Sequence, residues 1–206
     1  MSRQRTNAER TTATRAQLAG SARQLFTARG YASTTVAEIA RSCGLTVGAL
    51  YHHWPGKEAL LVDVVHDIHR ELAVRIRSFD TEDDPAALLL HAGRAFLDLC
   101  ADPATARLLL LDAPAALGYE RWRRIDERWW LAPTIRLVER ARTVRGTAAV
   151  GTCPATGGDT GAEASRQLAL ALLGALTSLG HEVAVRGAAT AVTVGRTYER
   201  LLTSVL

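Results

Sequence analysis

One stretch constrains this chain more than any other: residues 34–61, TTVAEIARSCGLTVGALYHHWPGKEALL. Its spacing predicts two short helices joined by a glycine turn, then the start of a longer helix, the layout of a helix-turn-helix. Thr35 stands three residues before Glu38, the capping-box spacing that satisfies free amides at a helix start. Val36, Ile39 and Ala40 recur on one face. Gly44 falls where that helix ends and a left-handed residue is wanted. Leu45 is an apolar plug, and Thr46 is placed to cap a second helix over residues 47–53, with Leu50 and Trp54 as inward anchors. Pro55-Gly56 breaks it, and Lys57-Glu58 opens a long apolar-periodic run.

The outward positions of the second short helix are Val47, Gly48, Ala49, Tyr51, His52 and His53. Small residues at its start allow close approach to base edges, and the later groups can bond phosphate oxygens. A glycine inside a helix costs about 1 kcal/mol against alanine. Gly48 therefore points either to a surface that must come close to something outside, or to tight packing between the two helices.

The ordered set Leu25-Phe26, Gly30-Tyr31, Thr34-Thr35-Val36, Ile39-Ala40, Gly44-Leu45-Thr46, Gly48, Leu50-Tyr51-His52-His53, Pro55, Lys57-Glu58 and Leu60-Leu61 resembles the DNA-binding domain of the tetracycline-repressor (TetR) family of bacterial regulators. The likeness covers residues 11–61; beyond them only length and helical organisation agree. Trp54 stands where the family usually has phenylalanine, Cys43 where alanine is common, and Gly20-Ser21 where an alanine pair is common. The resemblance implies that Thr35 and Thr46 contact phosphates at helix starts and that Val47, Gly48 and Ala49 face base edges. It also implies that Tyr51, His53 and Lys57 hold backbone phosphates, with His52 a phosphate contact or a solvated neighbour.

Charge supports a basic amino-terminal module. Residues 1–60 carry eight basic side chains (Arg3, Arg5, Arg10, Arg15, Arg23, Arg29, Arg41, Lys57) against three acidic ones (Glu9, Glu38, Glu58); the remainder carries 17 against 18. The whole positive excess thus lies where a DNA-facing module needs it. Lys57 is the sole lysine among 25 basic residues, so either the composition has drifted to arginine or a compact ammonium suits this helix start better than a guanidinium fork. Residues 1–10 read as a flexible basic arm.

The chain is predicted all-α, with about nine helices in two parts: a helix-turn-helix domain over 11–56 and a ligand-binding and dimerisation domain over 57–206. Helices are predicted over 11–29, 57–79, 85–100, 103 to about 112–114, 119–144, 162–185 and 188–206, besides the two short ones. Residues 146–161, GTAAVGTCPATGGDTG, lack periodicity and read as a flexible loop. Cys43, Cys100 and Cys153 form no disulfide framework and no metal spacing. With a polar, basic start and no run of about 18 apolar residues, a cytoplasmic protein with no membrane contact is expected. Neither a cofactor nor a metal is predicted, and no nucleophile elbow, phosphate loop or carboxylate pair argues for an enzyme.

The last two helices offer a dimer element: Leu168, Leu172, Leu176 and Leu179 supply apolar surface, and Ala171, Gly174 and Ala175 permit close approach. The alternative is that both helices are core elements of a monomer. A homodimer would bind a palindromic operator of double-stranded DNA with two reading helices one turn apart. The family places a small-molecule pocket in the larger domain. Phe96, Cys100, Trp122, Ile125, Trp129 and His69 are the candidate lining residues, suited to a hydrophobic or aromatic effector. Trp129 and Trp130 are adjacent and cannot both face inward, and Pro133 should bend their helix. His66 and His69, three apart, have a spacing that could present a metal or orient a ligand, without a third partner. The implied function is a ligand-responsive transcriptional regulator, most simply a repressor. An activator, or a helical binding protein that lost its operator, are the alternatives.

Overall fold

Residues 7–78, 84–144 and 161–206 are described by the computed structural model, and among them every regular element is helical. Helix α1 (Asn7–Arg29), α2 (Val36–Ser42) and α3 (Val47–His53) form the amino-terminal bundle. Helix α4 (Lys57–Arg77) leads into α5 (Pro85–Cys100), α6 (Pro103–Arg107), α7 (Ala113–Leu117), α8 (Tyr119–Val144), α9 (Gly161–Arg186) and α10 (Ala191–Val205). Helix α1 starts at Asn7, so the arm expected over residues 1–10 is helical in its last four residues; residues 1–6 lie outside the description. The loop expected at 146–161 also lies outside it, except Gly161, which opens α9.

The sixth predicted helix does not stop at residues 112–114. A π turn, Leu108–Asp112, carries it into α7, so α6 and α7 form one interrupted rod and the chain has nine rods among the described residues. The cause is local. Pro114 has no N–H to donate, and the Ala113 N–H reaches back to the Leu108 carbonyl. The carbonyls of Leu109 and Leu110 are thereby left over. The Trp122 indole N–H takes the first at 2.9 Å, and His181 Nε2 lies 3.2 Å from the second. No periodicity in the sequence announces this; it needs partners 13 and 71 residues away.

One apolar core joins the two parts. Leu18, Ala22 and Phe26 of α1 meet Ile39, Leu50 and Trp54 of the reader, and continue through Leu60, Leu61, Val64 and Val65 of α4 to Leu97, Leu108 and Trp122. Tyr198 of α10 is buried against Gly93 of α5, where an added Cβ would lie 2.7 Å from Cζ and 2.8 Å from Cδ1 of the ring. A side chain there would overpack the core, so only glycine fits.

Helix α9 alters one expectation. Its most apolar 18-residue window has mean hydropathy 1.6, long and apolar enough to cross a membrane by composition, and only 22% of that window is buried in the fold. Gly174 and Thr177-Ser178, which interrupt the leucines, are too weakly polar to lower the average. The expected dimer leucines do not make up the free face. Leu172 is buried in the chain's own core, while Leu168, Leu176 and Leu179 pack against it. A residue facing the core recurs every three to four positions, which directs this leucine stripe inward. Ala171 and Ser178 are exposed instead, with Gly174 and Ala175 half-buried near them.

Candidate nucleic-acid interface and sensor cavity

The reading unit is built from caps. The Thr35 hydroxyl accepts from the Glu38 N–H at 3.2 Å, and the Glu38 carboxylate accepts from the Thr35 N–H at 2.8 Å, a complete capping box. Helix α2 ends in a Schellman turn: Leu45 N–H donates to Ala40 O at 2.9 Å and Gly44 N–H to Arg41 O at 3.0 Å, with Gly44 at φ +66. The Thr46 hydroxyl accepts from the Ala49 N–H at 3.2 Å and starts α3. Leu50 and Trp54 are buried, so the opposite face of α3 turns outward: Thr46, Val47, Gly48, Tyr51 and His52 are exposed, and Ala49 and His53 are half-buried. Burial, with His52 and Arg15 nearby, holds His53 below the usual imidazole range.

Gly48 can now be decided. A Cβ built there would meet only the Thr46 hydroxyl, at 3.8 Å. Packing between α2 and α3 therefore does not require glycine.

Two expected phosphate contacts have prior engagements. The Thr35 hydroxyl and N–H both donate to Glu38 Oε2 at 2.8 Å, so its donors are spent inside the capping box. Thr46 accepts only, and keeps its hydroxyl proton for a phosphate. Lys57 is the second case. Its Nζ donates to Tyr31 O and Thr34 O, both at 2.9 Å, and sits 4.1 Å from the centre of the Tyr31 ring. Two of its three protons thus bind the loop between α1 and α2, and one is left. Three diverging donors on one small centre suit converging carbonyls and a ring face, which a planar guanidinium does not. This gives the lone lysine a structural reason.

Other polar side chains tie the reader to the larger domain, and sequence reasoning missed them. The Trp54 indole N–H donates to Asp63 Oδ2 at 2.8 Å, Arg15 pairs with the same carboxylate, and the Arg15 guanidinium stands 4.8 Å from the Trp54 ring centre. A tryptophan in place of the usual phenylalanine therefore anchors the turn to α4. Arg107 donates to Phe26 O at 3.1 Å and Thr27 O at 2.7 Å, and Asp112 accepts from the Tyr31 N–H at 3.0 Å. The end of α1 is clamped by both ends of the π turn.

The larger domain holds a cavity of about 520 Å³, counting its mouth, between α4, α5, α8, α9 and α10. Leu72 and Ile76 form one wall, Gly93 and Phe96 another, and Leu173, Leu176 and Thr177 a third; Asp126, Trp130 and Thr134 of α8 face them, with Tyr198 at one end. Phe96 is the one expected lining residue found here. Cys100, Trp122 and Ile125 are buried in the core, and burial pushes the Cys100 thiol up to about 12. Trp129 faces instead a polar groove between α1, α4 and α8 that also includes Arg15, Asp63 and His66; Trp130 takes the cavity. The four-residue step Asp126, Trp130, Thr134 puts these three on one face of α8, a signal present in the sequence.

The two tryptophans are fixed by the two histidines once considered for a metal. Trp129 Nε1 donates to His66 Nδ1 at 2.8 Å, and Trp130 Nε1 to His69 Nδ1 at 2.9 Å. His69 lies within the core, 2% exposed, stacked on Trp129, and burial followed by nearby His66 lowers it to about 4. Its Nδ1 accepts, so Nε2 carries the proton and has no partner among the described residues. Asp126 is raised to about 6, chiefly by burial, with Arg123 opposing and Glu127 adding.

A basic helix-turn-helix with an open α3 face, joined through α4 to a cavity-bearing helical bundle, defines a class of regulatory proteins. Residues 20–64 match the family model described as bacterial regulatory proteins, tetR family, and residues 86–156 match that of the tetracyclin repressor-like C-terminal domain. The regulator TtgR of Pseudomonas putida is 37% identical over 98 residues, which span 46% of this chain and 47% of TtgR, so the match covers about half the length of that curated relative. A solved TetR-family regulator from Pectobacterium atrosepticum is 28% identical and superposes with a TM-score of 0.70, covering 98% of this chain and 96% of its own. RolR, solved in complex with resorcinol, is 18% identical with a TM-score of 0.60 over 95% of this chain and 90% of its own, a likeness of fold. The chain belongs to the TetR family, whose members are DNA-binding transcriptional regulators and not enzymes.

Proposed function

We propose that this chain is a homodimeric, ligand-responsive repressor that binds a palindromic operator through α3 and leaves it when a small hydrophobic or aromatic effector enters the sensor cavity. The observation that carries the DNA half is Gly48: an exposed glycine in the first turn of α3 that no internal contact requires, flanked by Val47 and Ala49 and followed by the exposed Tyr51. Val47, Gly48 and Ala49 meet base edges, largely through methyl contacts and DNA shape; Thr46, Tyr51 and His53 meet phosphates. The third proton of Lys57 is free for a phosphate as well.

Response to ligand runs through Trp130. It lines the cavity and bonds His69 of α4, and α4 carries Lys57 and Asp63 at the reader. A ligand that displaces the indole favours a different seat for α4, and so a different separation of two reading helices; it weakens operator binding to the extent that it prefers that seat. RolR, a protein of the same fold solved in complex with resorcinol, is consistent with a small-molecule effector.

The second copy packs on the free side of α9, where the exposed Ala171 and Ser178 and the half-buried Gly174 and Ala175 allow close helix approach. Selection of bound sequences from random double-stranded DNA by the purified protein tests the reading. A two-fold symmetric site with half-sites about one helical turn apart is expected. Recovery of no enriched sequence would favour a binding protein without an operator.

A further inference from the structure

We propose that the sensor cavity takes an organic cation, a small amphiphile carrying a protonated amine or quaternary ammonium beside an apolar, ring-sized body. This rests on the reading of the cavity as the effector site and names the chemistry that the site selects.

The polar groups of the lining decide it. The Trp130 indole N–H is spent on His69 at 2.9 Å, the Tyr198 hydroxyl on Leu89 O at 3.3 Å, and the Thr177 hydroxyl on Leu173 O at 3.0 Å. Three donors on the wall are therefore closed to a ligand. The Asp126 carboxylate accepts no hydrogen bond among the described residues. Its nearest cation, Arg123, is turned to Glu127, with Nε 2.9 Å from Oε1. What the cavity offers is an acceptor, negatively charged when ionised, with the Thr134 hydroxyl two turns along the same face of α8 and an otherwise apolar surface.

Rings complete the site. Phe96, Trp130 and Tyr198 line the same space as Asp126, and ring faces attract a cation most where water is excluded. An anion would meet the carboxylate with no guanidinium or ammonium in the lining to offset it. A neutral ligand would leave the charge buried and uncompensated, which is costly. A cation neutralises Asp126, stacks on the rings and fills the apolar wall, so one molecule answers every feature of the lining.

The test uses the full-length protein and three probes on one naphthalene frame: (1-naphthylmethyl)trimethylammonium, its uncharged neopentyl isostere, and 1-naphthylacetate. Calorimetry should show the ammonium bound at least about tenfold more tightly than the isostere, and the acetate more weakly than both. Asp126→Asn should remove that preference, and Asp126→Glu should keep it. Should Asp126→Asn fail to fold, the wild-type ranking decides by itself. Equal binding of ammonium and isostere, tighter binding of the acetate, or no binding of the ammonium would each overturn the cation. The effector reading separates from it in a parallel measurement. Release of the selected operator by the isostere or the acetate would uphold an effector cavity while removing the cation. Operator release by none of them, with the ammonium bound, would leave a cation site that does not regulate.

Discussion

The reader and the sensor handle polarity in opposite ways. At the two short helices of the reader, the caps are closed within a few residues: Thr35 with Glu38, Thr46 with Ala49, Gly44 and Leu45 with the end of α2. What remains unpaired there is on the outside, at the open face of α3. In the sensor, Trp130 with His69 and Tyr198 with Leu89 are closed across the bundle, and among the described residues the half-buried Asp126 carboxylate on the cavity wall and the buried His69 Nε2 are left without a hydrogen-bond partner. The two halves therefore advertise different partners. Unsatisfied polarity on a surface costs little and waits for a large, solvated polymer. Unsatisfied polarity in a core costs stability and is relieved by a ligand small enough to enter.

The sharpest way to break this contrast is to remove the internal cost. Asp126 is raised to about 6 from the ordinary 3.8, so its ionised form is disfavoured in the folded state. The folded protein then binds more protons than the unfolded chain between those values, and stability falls as pH rises through this window. Asp126→Asn should be more stable than wild type by about 3 kcal/mol at pH 7, an advantage that shrinks to nothing by about pH 3. His69 runs the other way. Its folded value of about 4 lies below the unfolded 6.5, so it contributes stability above pH 6.5 that is lost as pH falls towards 4. The two slopes oppose each other in wild type, and Asp126→Asn should unmask the acid lability of His69. Denaturant titrations of both proteins between pH 4.5 and pH 8 measure it; parallel curves would mean that Asp126 carries no burial penalty.

The same contrast explains what the sequence could reveal. Caps, the glycine turn and the inward anchors of the reader are set by neighbours three to five residues apart, and all are visible in residues 34–61. The sensor cavity depends on which of two adjacent tryptophans faces in, which His66 and His69 settle from 61 to 63 residues away. The leucines of α9 are legible as a stripe, but how far the chain's own core covers them is not: Leu172 is buried, Leu168, Leu176 and Leu179 are half-buried, and Ala171 and Ser178 lie outside. The π turn left no local trace. Lys57 shows both levels at once, since its helix start is legible but its acceptors, 23 and 26 residues back, are not.

Lys57→Arg sharpens the reader side at a smaller energy. The planar fork cannot reproduce the convergence on Tyr31 O, Thr34 O and the Tyr31 ring, so these carbonyls lose part of their solvation by the protein. A loss of about 1–2 kcal/mol in unfolding free energy is expected, from the cost of a poorly satisfied buried acceptor. Lys57→Met should cost at least as much, and it also separates the two roles. If the third ammonium proton meets a phosphate, the dependence of operator binding on salt should lose about one unit of slope. An unchanged slope beside the lost stability would make Lys57 purely internal.

The smallest effect on stability carries the most specific statement about function. Gly48→Ala replaces a first-turn glycine on an exposed face with the best helix former, and the new methyl would meet only the Thr46 hydroxyl, at 3.8 Å. Folding should therefore improve by up to about 1 kcal/mol, since less backbone freedom is lost on forming α3. Operator binding should move the other way. A methyl at the point of closest approach holds the helix off the base edges and weakens every contact that follows it, so a loss of tenfold or more in affinity is expected, about 1.4 kcal/mol. A larger side chain, Gly48→Leu, should keep the fold for the same reason and lose binding further. The signs matter more than the sizes, because a residue kept only for packing gives the same sign in both measurements and a residue kept for DNA gives opposite ones. A Gly48→Ala protein that is more stable and binds the operator unchanged would remove Gly48 from the interface and leave the open face of α3 without its strongest argument.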